Sequence, residues 1–203
     1  AATPAGGAGN THSGPQAVGL GTTADSLSSI KQLVFDEKKV TGAELLDALR
    51  KDWAGYETLY AYVNSPKVHH YGNDDDYADE LAKLVISEYC ANVEHRPTPH
   101  GGEYMPGVYS VTNNVMHGSV DAATPDGRRA YEPVSDCMGP VHTRAASHDV
   151  SGPTAVASSV AKMDHARIGN GIILNWKFSP GTVAGPEGRE KLIALLKTHF
   201  AHG

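Results

Sequence analysis

Several groups of side chains in this sequence are of types that can do chemistry, and their spacing limits what that chemistry is. The densest is VHHYGNDDDYADELA, in which His69 and His70 precede Asp74, Asp75 and Asp76. Imidazoles beside carboxylates invite a metal. Contiguous aspartates, however, lack the alternating ligand spacing of a calcium loop, and adjacent histidines point in different directions on most backbones. The same residues make a good helix start: Asn73 or Asp74 caps it, and the acids that follow meet the positive end of its dipole. No metal ligand is assigned in the chain. His142, His148, Asp149 and Ser151, in VHTRAASHDVSGP, have the types of a hydrolase triad. There is no Gly-x-Ser-x-Gly elbow, and residues so close in sequence rarely reach triad geometry, so a surface loop is expected.

Arg128 and Arg129 follow the Pro-Asp-Gly turn signal of ATPDGRR. They can bind an anion, but pairing with nearby acids such as Glu132 or Asp136 is the expectation. Cys90 and Cys137 stand far apart, which gives neither a disulfide framework nor metal spacing and fits a reducing cytosol. His12 and Ser13 sit in a Gly- and Ala-rich segment. A lone histidine there is ordinarily solvent-facing, although its pKa near neutrality suits it to hold a carboxylate or relay a proton. In GIILNWKF, Ile172, Leu174, Trp176 and Phe178 share one face of an extended chain, and Ile173, Asn175 and Lys177 the other. That pattern fits an edge strand with one wet face, or a barrel strand whose second face looks into a polar site.

The elements that must position these groups follow from periodicity. Helices are expected at about 23–35, 41–54, 74–94 and 186–201. Thr22 or Thr23 caps the first, with Ala24, Leu27, Ile30 and Val34 on its buried face. Thr41 and Glu44 form a capping box for the second, which buries Leu45, Leu46, Leu49 and Trp53. Tyr77, Leu81, Leu84 and Val85 make the stripe of the third, and Leu192, Ile193, Leu196 and Phe200 that of the last. PQAVGLG, Gly107 to Val115, PTAVASSV and GIILNWKF read as strands, since Thr, Val, Ile and Trp favour extended backbone. Strands alternating with helices argue for an α/β fold.

The chain has 203 residues, enough for one sizeable domain, with 40% hydrophobic and 20% charged residues and a net charge of -6. The charge and the lack of a basic run argue against nucleic acid as a partner. No apolar run is long enough to span a bilayer, so no membrane partner and a cytoplasmic location are expected. The start at AATPAGG without Met and the close at THFAHG suggest an internal piece of a longer protein.

Five blocks carry a resemblance to a known family. GLGTTADSLSSIKQLVFDEKKVTGAELLDALRKDWAGYE, YGNDDDYADELA, GVYSVTNNVMHG, ATPDGRRAYEPVSD and GPTAVASSVAKMDH with NGIILNWKFSP come in family order and cover most of the chain. The sequence is thereby similar to the glycyl radical enzymes of the pyruvate formate-lyase superfamily. The nearer branch is that of the diol dehydratases, choline trimethylamine-lyase and the arylacetate decarboxylases.

The resemblance implies a ten-stranded α/β barrel of two five-stranded parallel halves wrapped by helices, with residues 1–203 forming part of that one domain. It implies a lyase that uses a thiyl and a glycyl radical to cleave a C–O, C–N, C–S or C–C bond. The alternatives are an acyltransferase of pyruvate formate-lyase type and a stand-alone, non-catalytic binding domain. No bound cofactor serves turnover; the radical is stored on the protein and installed by an iron–sulfur activase using S-adenosylmethionine. The implied partners are that activase, a small-molecule substrate and a second copy in a homodimer.

The family's Gly-Cys-x-Glu and Arg-Val-x-Gly-Tyr loops have no match in the 203 residues. The piece is therefore expected to lie between them, to hold no catalytic residue and to be inactive alone. Cys137, in SDCMGP where the family usually has glycine, does not inherit the catalytic role. Substrate-pocket candidates are His12 and Ser13 before the first strand, and Thr154, Ser158 and Asn175 on or beside the others. His12 would hold a substrate carboxylate, which suits an arylacetate decarboxylase.

Overall fold

A computed structural model of the chain describes Gly7, Gly9 and residues 11–142 and 147–202. Most of the Gly- and Ala-rich start, and residues 143–146 of the loop after Val141, lie outside the described residues.

Helix α1 (Leu20–Ile30) begins at Gly19, in the left-handed conformation with φ 88°, and has no side-chain cap. The expected caps do other work. Thr23 Oγ1 donates to Gly19 O, and Thr22 exchanges two hydrogen bonds with Ser135. The buried face is turned from the expected stripe: Thr22, Asp25, Ser28 and Ser29 are inside with Ala24, while Leu27 is exposed. Thr22, Asp25 and Ser28 find partners, which makes their burial tolerable, whereas the Ser29 hydroxyl has none. Ser28 Oγ donates to His69 O at 2.6 Å, and Tyr71 N donates to Asp25 Oδ1 at 2.7 Å. The helix widens into a π-helical turn over Lys31–Asp36, where Gln32 bonds Lys67 O and His69 N. One face of α1 thus clamps the 67–71 loop by hydrogen bonds.

Helix α2 (Gly42–Arg50) carries the expected capping box, with Glu44 N donating to Thr41 Oγ1 and Thr41 N to Glu44 Oε2. Its Leu45 and Ala48 join Leu33, Trp53, Leu59 and Val63 in one apolar cluster, and Leu46 stays exposed. Helix α3 (Glu57–Val63) supplies the last two of these. Helix α4 (Asp76–Val93) is capped by Asp75 rather than Asn73 or Asp74. It buries Ala78, Asp79, Ala82, Ile86 and Cys90. This stripe of mostly small side chains packs on α1 in a second cluster with Leu20, Tyr71, Val108 and Met138.

PTAVASSV, expected as a strand, is helix α6 (Pro153–Ala161). Pro153 at the first helical position has the right φ and no N–H to lose. Val156, Ala157, Val160 and Ala161 then recur at helical spacing and are buried. The helix is tied to α4 by polar contacts. Ser159 Oγ donates to Asp79 Oδ2 at 2.9 Å, and Lys162 Nζ lies 2.8 Å from Asp79, 2.7 Å from Asp76 and 3.0 Å from Asp74. Burial pushes the Asp79 carboxyl up despite these donors.

The other expected strands are extended but do not become regular strands; among the described residues only isolated bridges form. Ser13 and Gln16 pair in parallel with Tyr104 and Gly107, and Val108 with Ile172. Backbone donors Ser13 N, Met105 N, Gly107 N and Ala17 N link the first two segments, and Val108 N reaches Gly171 O at 3.0 Å. Pro15 and Pro106 withhold a donor from these ladders, which keeps them short. The end of the expected Gly107–Val115 strand turns instead into helix α5 (Asn113–Gly118). A single turn, α7 (Pro180–Val183), leads into α8 (Gly185–His202). There Leu195 is buried against α6, whereas Ile193, Leu196 and Phe200, expected inside, are exposed.

Candidate functional site

A cleft of about 690 Å³ lies where the extended segment 175–178 meets Pro133–Pro140, Asn114–Val115 and the start of α6. The GIILNWKF run places Asn175 and Lys177 on it, and Trp176 and Phe178 also reach its wall. Its polar centre is Asp136. Asn175 Nδ2 donates to Asp136 Oδ2 at 2.8 Å, Cys137 Sγ to Asp136 Oδ1 at 2.9 Å, and Ser110 Oγ to the same oxygen. Partial burial pushes the Asp136 carboxyl up, but the three donors outweigh it and hold it below the ordinary carboxylate range. Across the cleft, His142 Nδ1 lies 3.5 Å from Asp149 Oδ1. Such a site offers an anchored carboxylate, an amide, an ammonium and an imidazole to a small polar molecule.

Neither thiol is poised as a nucleophile. Burial pushes the Cys90 thiol up, and burial together with the Asp136 carboxylate does the same to Cys137. Asn175 lines the cleft and the four other pocket candidates do not. His12 is exposed, with Nδ1 3.3 Å from Glu103 O, and half-buried Ser13 bridges Tyr104. Thr154 is exposed and Ser158 half-buried on α6, which is a helix and not the strand assumed for them. Asp136, Lys177 and His142 were missing from the candidates. The alternation along GIILNWKF already put Lys177 beside Asn175, but nothing in SDCMGP marks Asp136 as the hub of a cleft.

The other chemical groups also settle into place. Arg128 is fully buried and pairs with no acid among the described residues; its guanidinium donates to the carbonyls of Ala122, Arg129 and Glu132 and to Thr124 Oγ1. Arg129 donates to Asp52 O, not to Glu132 or Asp136. His69 and His70 do diverge: His69 pairs with Asp75 and stacks on Tyr77, while His70 turns into the core. His148, expected on a surface loop, is only 2% exposed and lies 2.7 Å from Asp25. Among the described residues, Asp25, His70 and His148 are the group whose ligand atoms could hold a metal, and none of them lines the cleft.

Comparison with known proteins places this arrangement. The family model described as Pyruvate formate lyase-like matches residues 1–118, more than half of the chain, and one described as Glycine radical matches residues 138–203. The chain belongs to the pyruvate formate lyase-like family. Among relatives, it is 54% identical over 187 residues to (2S)-3-sulfopropanediol dehydratase of Klebsiella oxytoca, covering 92% of this chain and 23% of that protein. It is 41% identical to trans-4-hydroxy-L-proline dehydratase of Clostridioides difficile, covering 91% and 23%. The glycerol-bound B12-independent glycerol dehydratase of Clostridium butyricum superposes with a TM-score of 0.89 at 39% identity, covering 97% of this chain and 24% of that one. The chain thus spans about a quarter of the pyruvate formate lyase-like proteins it matches. No helix among the described residues is long and apolar enough to cross a membrane.

Proposed function

We propose that this chain is a stretch of barrel wall in a glycyl radical lyase that cleaves a C–O bond of a small vicinal diol or hydroxy acid. The observation that carries the reading is the 54% identity to a sulfopropanediol dehydratase across nearly the whole chain. The parallel pairing of 13–17 with 103–108, and of Val108 with Ile172, fits neighbouring segments of one parallel half-barrel. The radical itself would be formed by residues of the cysteine and glycine loops, whose motifs do not occur in these 203 residues, so this chain alone is inactive. Its own residues shape and desolvate the cavity, which keeps water from a reactive centre and holds the substrate beside it.

In this reading Asn175 faces the substrate side together with Asp136 and Lys177, and Lys177 offers its ammonium to an anionic substituent. His12, Ser13, Thr154 and Ser158 remain candidates for other parts of the wall. The decarboxylase alternative leaned on His12 as a carboxylate holder, and the dehydratase reading is preferred because His12 Nδ1 sits against the Glu103 backbone. The partners are a small polar substrate, a second copy in a homodimer and an iron–sulfur activase that uses S-adenosylmethionine; the location is cytoplasmic. The test is to activate the full gene product without oxygen and offer it 3-sulfopropanediol, glycerol, propanediol, trans-4-hydroxyproline, choline and arylacetates. Dehydration of a diol or hydroxy acid is expected. Carbon dioxide from an arylacetate, with no dehydration, would overturn the reading.

A further inference from the structure

Three side chains from distant parts of the sequence converge in the core, outside the cleft. Asp25 of α1 is fully buried, His70 is 4% exposed and His148 is 2% exposed. Their potential ligand atoms all lie within 4.8 Å of one another. Asp25 Oδ2 stands 2.7 Å from His148 Nδ1 and 3.4 Å from His70 Nδ1.

The partners of the remaining atoms are what single this cluster out. Asp25 Oδ1 accepts from Tyr71 N at 2.7 Å, which leaves Oδ2 to face the rings. His70 Nε2 is 2.9 Å from Val63 O and His148 Nε2 is 3.4 Å from Asn64 Oδ1. The Asn64 amide is oriented by its own donation to Tyr60 O, so its oxygen faces the ring. Every neighbour of the two rings is therefore an acceptor. Each Nε2 is called on to donate, and each Nδ1 faces the shared Asp25 carboxylate, that of His148 through a hydrogen bond at 2.7 Å. His70 Nδ1 is buried with no hydrogen-bond partner. Outer ring N–H on a carbonyl, inner nitrogen toward a shared centre, is the arrangement metal-ligating histidines adopt.

We propose that Asp25, His70 and His148 form a divalent-cation site of the zinc class, with Asp25 Oδ2 and the two Nδ1 atoms as its protein ligands. Two imidazoles and one carboxylate are a donor set that zinc accepts, with a fourth position left for water. Asp126 is fully buried as well, its Oδ2 has no partner, and burial with the nearby Asp25 charge pushes its carboxyl up, so a cation here would relieve it. The rings stack with centroids 3.9 Å apart and planes 24° apart, so a cation cannot lie in both ring planes as they stand. His148 is the ring that turns to admit it, because its hold on Asn64 is longer than that of His70 on Val63. A cavity of about 320 Å³, lined by Asn64, His70, Asn73 and His148, gives the path. Binding replaces the proton between His148 Nδ1 and Asp25 Oδ2, and that proton is released to solvent.

The test uses the full gene product, stripped by a chelator and titrated with Co²⁺ and then Zn²⁺. The expected result is one cobalt per chain at this site with the visible absorption of a tetrahedral centre, proton release on binding, and displacement by Zn²⁺. His70→Ala and His148→Ala should each remove that equivalent, while His95→Ala, at an exposed histidine, should keep it. Should either deletion unfold the protein, Asn64→Ala keeps all three ligands and should weaken binding by roughly 10–100-fold. A wild-type protein that takes up no cobalt, or binding that survives folded His70 and His148 variants unchanged, would overturn the proposal. Either result would leave the cluster as a proton-holding part of the core.

Discussion

Asp136 gathers three donors from separate segments, Ser110, Cys137 and Asn175, onto one carboxylate. Its folded pKa is lowered, so its contribution is fully present above the unfolded value of 3.8 and is lost as pH falls through the folded one. Asp136→Asn should therefore cost on the order of 1 kcal/mol near neutrality. The gap to wild type should narrow below pH 3.8 in thermal melts; a gap constant with pH would contradict this origin. The thiols carry the second prediction at this scale. Cys90→Ala with Cys137→Ser in the activated full gene product should retain turnover, because both thiols are buried and pushed up. Lost activity with fold and radical yield intact would show that one of them takes part. Single residues were legible where the signal is local: Thr41 and Glu44 form their box within four residues. His148 was not, because a loop sequence does not reveal that Asp25, more than a hundred residues earlier, waits in the core.

Helix α6 shows why one element was misread while others were not. Pro153 and the alanines of PTAVASSVA are helix signals, but Thr and Val were weighed as strand formers. Burial at i, i+3 and i+4 decides the matter in the fold, and β-branched residues are tolerated where they pack. The faces of α1 and α8 were misplaced for a related reason. In α1, Ser28, Thr22 and Asp25 replace part of the expected apolar stripe, because their partners lie on other elements. The α4–α6 clamp gives a test at this scale. Lys162→Met leaves Asp79 buried beside Ser159 without its cation and should cost about 3–5 kcal/mol at neutral pH. Burial already raises the folded pKa of Asp79, and losing Lys162 raises it further, so acid neutralises the stranded carboxyl. The deficit of the variant should then shrink as the solution is acidified. Chemical denaturation across pH would show it; a deficit that grows in acid would contradict the assignment.

At the scale of the whole molecule, the order of the blocks that resemble the family carried more than any periodicity. Helices that pack on near neighbours can be read from local pattern, whereas the pairing of 13–17 with 103–108 joins segments about ninety residues apart. Both segments read as strands in the sequence, but their Gly and Pro content keeps them from forming more than isolated bridges. Membership of the pyruvate formate lyase-like family and the 0.89 TM-score to a glycerol dehydratase supply the frame into which these short bridges fit. The central claim is that this chain serves a protein that stores its radical on a backbone glycine. Electron paramagnetic resonance of the full gene product, incubated without oxygen with its activase and S-adenosylmethionine, tests that most directly. The account predicts a doublet from the one α-proton of a glycyl radical, abolished by air. A protein of intact fold that yields no such signal would contradict it.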